Sequence, residues 1–253
     1  MRPGSRSHTI LGELVEAASR DDSMTQLRTA ISAHQYLRLY EWVDRFVKPG
    51  GHVLDWGAGN GHFSYFLLRA GYRASGFDWG PPPRICSAFP SGAYAYTTAG
   101  PADPSGLPYA SATFDAVASV GVLEHVRETG GDELASLKEI HRVLRPGGVF
   151  LCFHLPNRYS WIEAVLRSMG RWSHTHRHTA SSIRSLVTKT GLELVAMQRY
   201  AILPRNIWWW GLPRGMGAST GVARAYDWMD GVLSVVFSPV CQNYVFVARK
   251  RVP

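Results

Sequence analysis

Val53-Leu54-Asp55-Trp56-Gly57-Ala58-Gly59-Asn60-Gly61 is the stretch that decides the fold of this chain. Two apolar β-formers lead into an acid, and glycine then takes every second position. A strand that ends in a tight turn and enters a helix suits this spacing, because glycine tolerates positive φ and lets a ligand approach the backbone. The turn is expected to leave backbone N–H groups around a bound group. In a surface loop the same composition would only waste conformational entropy. Glycine spacing alone fits several nucleotide ligands and ordinary turns, so the flanking sequence has to decide.

The chain has 253 residues, 45% apolar and 12% aromatic, which suits one folded core and rules against disorder. Helical spacing covers 9–20 and 24–48. In the second stretch Ile31, Tyr36, Leu37, Tyr40, Val43, Phe46 and Val47 recur mostly every three or four residues before Pro49-Gly50-Gly51. After the glycines a helix turns Phe63, Phe66, Leu67 and Leu68 inward, and Gly71 closes it. Tyr72–Phe77 reads as a second strand ending at Asp78-Trp79, and Gly80-Pro81-Pro82-Pro83 then forbids an immediate long helix. Further strands are expected at Ala93–Thr98, Phe114–Val120 and Val149–Phe153, with helices at Asp132–Leu144 and 179–190. Leu192–Ala201 and Tyr244–Val247 read as closing strands. The alternation predicts an α/β layer sandwich on a mainly parallel sheet. One domain, 1–253, is expected, with a helical cap over 1–48, a ligand-binding core over 49–203 and an aromatic insertion over 204–241.

In a doubly wound sheet, ligands sit beyond the carboxyl ends of the strands. Asp55 ends the first strand ahead of Gly57, Ala58, Gly59 and Gly61. Asp78 ends the second, where a carboxylate can take both hydroxyls of a ribose, and Trp79 beside it can lie against a purine. Asp103 falls between the third and fourth strands, Glu124 and His125 follow the fourth, and His154 follows the fifth. An acid directly before the glycines is poorly placed beside a pyrophosphate and well placed beside an amino-acid ammonium. Charge therefore favours S-adenosylmethionine over NAD.

At this point the sequence resembles the class I S-adenosylmethionine-dependent methyltransferases, in particular the branch with many small-molecule, quinone and sugar methyltransferases. The opening nonapeptide stands at the family's glycine-rich cofactor loop, and Gly76-Phe77-Asp78 at its ribose-binding acid. Asp103 matches the acid that commonly approaches the adenine amino group. Phe114-Asp115-Ala116-Val117 and Val122-Leu123-Glu124-His125-Val126 are similar to the fourth strand and its trailing loop, with Val120 beside the cofactor. The most specific match joins an amphipathic helix to a turn, from Leu137 to Arg145-Pro146-Gly147-Gly148. The resemblance covers residues 36–203 and implies a Rossmann-like three-layer sandwich, its seven-stranded sheet mainly parallel with the last strand antiparallel. The Pro-rich bridge and the 203–241 insertion depart from the family's pattern.

For the acceptor, His154 is the first candidate base, at the head of His154-Leu155-Pro156-Asn157-Arg158-Tyr159, and His125 the second. A structural histidine is the competing reading of both. Asn157, Arg158 and Tyr159 are expected to meet substrate, as are Trp208 and Trp209 in Ile207-Trp208-Trp209-Trp210. That insertion fits extra core, a lid over the acceptor, or an interfacial patch with Arg205 and Arg214. The expected acceptor is a sugar, glycolipid or secondary-metabolite hydroxyl, with methylation of nitrogen, carbon, a quinone or a lipid as the alternative. His174, His176 and His178 would share one face if extended. No carboxylate lies within ten residues of them, and Arg171 and Arg177 would repel a cation, so no metal is expected.

The net charge of +8 is uneven: residues 157–224 hold 10 Lys/Arg against 2 Asp/Glu. Such a segment suits an anionic, glycosylated or lipid-linked acceptor, or simply a solvated face. A nucleic-acid substrate is disfavoured, since Gly121-Val122-Leu123-Glu124 stands where base N-methyltransferases carry a Pro-Pro motif and no cysteine has the proline neighbour of a C5 nucleophile. Cys86, Cys152 and Cys241 are widely separated, and no apolar run free of charge reaches the ~18 residues of a spanning helix. A cytosolic protein is expected, with peripheral membrane contact and a homodimer left open.

Overall fold

The computed structural model describes residues 3–100, 102–171, 173–205 and 219–252. Helices α1 (Pro3–Ala18) and α2 (Ala30–Phe46) precede β1 (His52–Trp56), α3 (His62–Arg69), β2 (Arg73–Asp78), β3 (Tyr94–Thr98) and β4 (Phe114–Val120). There follow α4 (Glu133–Val143), β5 (Leu144–Pro156), α5 (Trp161–Ser168), α6 (Ala180–Lys189), β6 (Leu192–Tyr200), α7 (Thr220–Val236) and β7 (Asn243–Lys250). The strands form one sheet in the order β3-β2-β1-β4-β5-β7-β6. Pairings from β3 to β5 are parallel, and β7 runs antiparallel to both neighbours. Strand order reverses between β1 and β4, so the cleft for a ligand opens above those two strand ends.

Alternating side chains give the sheet two buried faces. Val53, Ala116, Leu151 and Phe153 pack under α1, α2 and α3 with Leu14, Leu39, Tyr40 and Phe66. Leu54, Val117, Phe150 and Cys152 pack against Leu137, Ile140, Ile183 and Val187 of α4 and α6. Tyr40 and Phe66 stack with ring centroids 3.7 Å apart, which fixes α2 on α3. Thr29 caps α2 and Thr179 caps α6, each hydroxyl accepting from the third backbone N–H of its helix while a serine answers in return.

The N-terminal helices shift from their expected bounds, α1 starting at Pro3 and α2 only at Ala30 after a 3-10 turn at Thr25–Leu27, and two further elements differ from the sequence expectation. β5 begins at Leu144 and not at Val149: Leu144 pairs with Phe114, residues 145–148 bulge outward, and Val149 resumes pairing at Ala116. Helix α5 was not anticipated. Ser160 starts it by accepting from the N–H of Glu163, a cap three residues apart that is legible in the sequence. The Pro-rich bridge holds only a short 3-10 turn, Arg84–Ala88, as the three prolines require.

Helix α7 packs Ala223 and Tyr226 on Ala30 and Ile31 of α2. Arg205 locks that contact. Its guanidinium donates to the Ile31 carbonyl at 3.0 Å, to Asp227 at 2.6 Å and to Asp230 at 3.2 Å. Asp230 also accepts from the N–H groups of Ile202 and Leu203. This corrects the reading of Arg205 as a headgroup-facing cation: it is only 8% exposed and its charge is spent internally. Replacing Arg205 with Ala strands two carboxylates and should cost about 3–5 kcal/mol in urea unfolding. A loss below about 1 kcal/mol would mean that the network does not hold α7.

Candidate active site

The glycine turn is tied to the end of β2. The N–H groups of Gly57 and Ala58 both donate to the Phe77 carbonyl, at 2.8 and 3.1 Å. Gly59 N–H donates to Asp78 Oδ2 at 2.7 Å, and Gly61 N–H to the Ala58 carbonyl at 2.8 Å. The expectation that these donors surround a ligand is therefore corrected, since four of them are used within the protein. The glycines serve close packing instead. At Gly57 (φ 77°) a Cβ would lie 2.3 Å from Val122, and at Gly61 (φ 79°) 2.5 Å from Pro83 of the Pro-rich bridge. Gly59 (φ 50°) has only the Gly57 carbonyl within 4 Å of such a Cβ, so its face is open to a ligand.

Asp55 is buried beneath this turn, and its Oδ2 accepts from the Ser64 hydroxyl at 2.6 Å. Burial pushes its carboxyl up to about 7, the nearby charge of Asp78 adds to that, and the Ser64 hydrogen bond opposes it. Asp78 Oδ1 accepts from the N–H of Trp79 at 2.6 Å and of Gly80 at 3.3 Å. Trp79 is 37% exposed alongside. Asp103 is exposed and turned back on its own loop, accepting from Gly106 N–H at 2.9 Å.

Beyond Val120, Gly121 donates to the Phe153 carbonyl at 3.1 Å, which joins the ends of β4 and β5. The next turn buries Glu124, whose Oε2 has no hydrogen-bond partner among the described residues. Burial pushes that carboxyl up to about 8, and the charge of Glu128 acts in the same direction. His125 is half-buried, with Nδ1 2.7 Å from Glu128 Oε2.

His154 sits where β5 loses register with β7, in the left-handed region at φ 68°. A non-glycine residue held there is strained, and such positions concentrate at functional sites. The bulge turns the imidazole among aromatic rings: Phe153, Tyr36 and Tyr200 lie with centroids 4.4, 5.6 and 6.0 Å away. Tyr200 oxygen accepts the His154 N–H at 3.0 Å and lies 3.1 Å from Nδ1, with Asn243 Nδ2 3.4 Å from the same nitrogen. Two donors converging on Nδ1 put the ring proton on Nε2. Burial pushes the imidazole down to about 3, helped by the charges of His62, His174 and Arg205. Such a ring is neutral at physiological pH and a feeble base.

Other expected acceptor contacts separate. Asn157 is fully buried, donates to the carbonyls of Pro239 and Cys241 at 2.9 and 2.8 Å, and accepts from Tyr159 N–H at 3.2 Å. Its amide is spent holding chain segments together, which replaces the substrate role expected for it. Arg158 and Tyr159 are exposed. Trp208 and Trp209 lie outside the described residues. Sequence reading missed Gln26, Tyr36, His62 and Tyr200. His62 Nδ1 lies 3.2 Å from Gln26 Nε2 and 3.0 Å from Asn60 Oδ1, so the segment before α2 covers the glycine turn. Its ring lies 4.6 Å from Tyr36, and burial pushes its imidazole down to about 4. The signal was present in Gly61-His62, a polar ring directly after the glycine turn at the start of a mostly apolar helix.

The site fits S-adenosylmethionine on these observations: an open glycine face, a buried carboxylate with no cationic partner among the described residues, and a second carboxylate at the end of β2. A methyltransferase-domain family profile matches residues 31–197. The ubiquinone biosynthesis O-methyltransferase of Ruegeria pomeroyi is 31% identical over 179 residues, 64% of this chain and 68% of that protein. The ubiquinone/menaquinone biosynthesis C-methyltransferase of Rubrivivax gelatinosus is 26% identical, over 59% of this chain and 64% of that one. A SAM-dependent methyltransferase structure from Methanosarcina mazei superposes with a TM-score of 0.57 at 15% identity, covering 84% of this chain and 98% of the other, and shows the shared fold. The chain belongs to the class I S-adenosylmethionine-dependent methyltransferases.

Proposed function

We propose that this enzyme methylates an oxygen of a small ring-bearing acceptor that carries a second oxygen next to the first. The observation that carries this reading is His154: an imidazole among three aromatic rings, with Tyr200 oxygen 3.1 Å and Asn243 Nδ2 3.4 Å from its Nδ1, an arrangement that assigns the ring proton to Nε2. Those three rings are buried in the core, so they hold the imidazole in apolar surroundings suited to a flat, apolar acceptor at its edge. The Nε2–H donates to an oxygen and does not take a proton from one. Such a donor would weaken the attacking oxygen, so it suits the neighbouring oxygen and orients the ring. The sequence-based assignment of His154 as base gives way to a positioning role. The relatives named for ubiquinone biosynthesis support an acceptor of quinone-precursor type over a sugar or glycolipid.

Asp78 would take the ribose hydroxyls, Trp79 would cover the adenine, and Asp55 would face the ammonium group. When bound, S-adenosylmethionine supplies an electrophilic methyl group on a sulfonium. Asp55 must carry its charge to meet an ammonium, and burial opposes that charge. His154 and the rings around it set the acceptor in place, and such placement is a large part of catalysis where the reacting centre needs little chemical help.

His154→Ala should raise KM about tenfold for an acceptor with two adjacent ring oxygens and leave a single-hydroxyl acceptor nearly unchanged. A base would instead lower kcat by ~10²–10⁴ for both, and that result would return His154 to the base role. Methyl transfer from labelled cofactor to a panel of catechols, simple phenols and sugars tests the acceptor class. Label appearing only on sugars would sink this reading.

Asp55 gives a pH prediction. Its folded-state pKa is raised to about 7, so the stability it contributes to the cofactor-free protein is full below the unfolded carboxyl range and is lost as pH rises through 7. Cofactor affinity should move the other way, falling about tenfold for each pH unit below 7 as the carboxylate is protonated. Calorimetry between pH 5 and 8 checks both the slope and the uptake of one proton on cofactor release. Asp55→Asn should flatten it.

A further inference from the structure

Glu124, His125 and His174 each offer a donor atom, and the three atoms lie within 4.8 Å of one another. They come from two separate stretches, the turn after β4 and the segment between α5 and α6. Glu124 is 3% exposed and its Oε2 lacks a hydrogen-bond partner among the described residues. A buried carboxyl oxygen without a partner is costly; the group's backbone hydrogen bond offsets burial only in part, and the nearby charge that acts on it is another acid, Glu128. A bound cation would remove that cost.

The histidines are prepared for such a role. His125 Nδ1 lies 2.7 Å from Glu128 Oε2, and His174 Nδ1 lies 2.9 Å from Glu163 Oε1. Glu163 is itself buried and also accepts the His174 N–H at 2.9 Å. A carboxylate on Nδ1 fixes the tautomer with its lone pair on Nε2 and raises the basicity of the ring, the outer support that metal-binding histidines carry. The two rings lie with centroids 5.7 Å apart.

From this geometry we infer that Glu124, His125 and His174 form a divalent-cation site of the zinc class, with Glu128 and Glu163 as its outer supports. Two imidazoles and one carboxylate suit zinc and leave a fourth position for water or a substrate oxygen. Bonds of about 2.0–2.2 Å place tetrahedral donors roughly 3.3–3.6 Å apart, so the side chains must close in by about an ångström. No metal was expected because no carboxylate lies within ten residues of the histidines and because Arg171 and Arg177 would repel a cation. The fold brings Glu124 and Glu163 to His174 from further away. His176 and His178 are not part of the set, and His178 instead faces Glu133 at 3.5 Å.

The test is independent of the methyl acceptor. Calorimetry of tag-free protein with Zn²⁺ should give one site per chain, and Co²⁺ in that site should show the visible absorption of a four-coordinate ion. Glu124→Gln and His174→Ala should each weaken Zn²⁺ binding at least about 100-fold, and Glu163→Gln about 10- to 100-fold, with His176→Ala unchanged. Metal-free Glu124→Gln should melt no lower than the wild type, since it removes an uncompensated buried acid, and Zn²⁺ should raise the melting temperature of the wild type alone. Equal Zn²⁺ affinity in the wild type and Glu124→Gln, or equal loss in His176→Ala and His174→Ala, overturns the site.

Discussion

The rest of the site depends on one carbonyl. Phe77, at the end of β2, receives the N–H groups of both Gly57 and Ala58, and Asp78 next to it receives Gly59. These bonds bind the first two parallel strands together at the edge where a cofactor must lie. They also consume the donors that a glycine turn would otherwise offer to a phosphate. A pyrophosphate needs free backbone N–H groups, and this turn has few to give. What the turn leaves free is the open face of Gly59 beside the carboxylates of Asp55 and Asp78, surroundings that suit the positive groups of S-adenosylmethionine, its ammonium and its sulfonium.

Burial around those carboxylates works in one direction. Asp55 and Glu124 are pushed up to about 7 and 8, while His62 and His154 are pushed down to about 4 and 3. Each group is driven toward its neutral form, because among the described residues the strand ends bury little fixed countercharge. A pocket of this kind is electrostatically unfinished until a cation enters it. The two acids are then the natural receivers of positive charge, and the two imidazoles act as neutral hydrogen-bonding groups.

What could be read from the sequence was what is local in it. The nonapeptide, the acids at the ends of β1 and β2, the helix ahead of Arg145-Pro146-Gly147-Gly148 and the cap at Thr179 all lie within a few residues of the partners that give them meaning. Side-chain roles set by distant partners were hidden. Asn157 looked like a substrate contact until Cys241, 84 positions away, was found to take its amide. Arg205 looked like a surface cation, and its carbonyl partner Ile31 is 174 positions away. His154 could be placed from the sequence, but its surroundings could not, because the groups beside its Nδ1 come from Tyr200 and Asn243 on other strands.

Arg205 also bears on the reading of residues 204–241 as a lid. A lid must leave its seat at little cost, and lids are drawn from the least stable parts of a fold. Helix α7 instead rests on α2 through Ala223 and Tyr226, beside a buried guanidinium that engages two of its carboxylates. His34 of α2 adds a further contact to Asp227 at 2.7 Å. Lifting α7 would break this network at a cost of about 3–5 kcal/mol, enough to hold the open population to well under one per cent. The helix is therefore a fixed wall on the N-terminal helices. Since Tyr36 of that same α2 lies beside His154, the wall also helps to fix the surroundings of that imidazole.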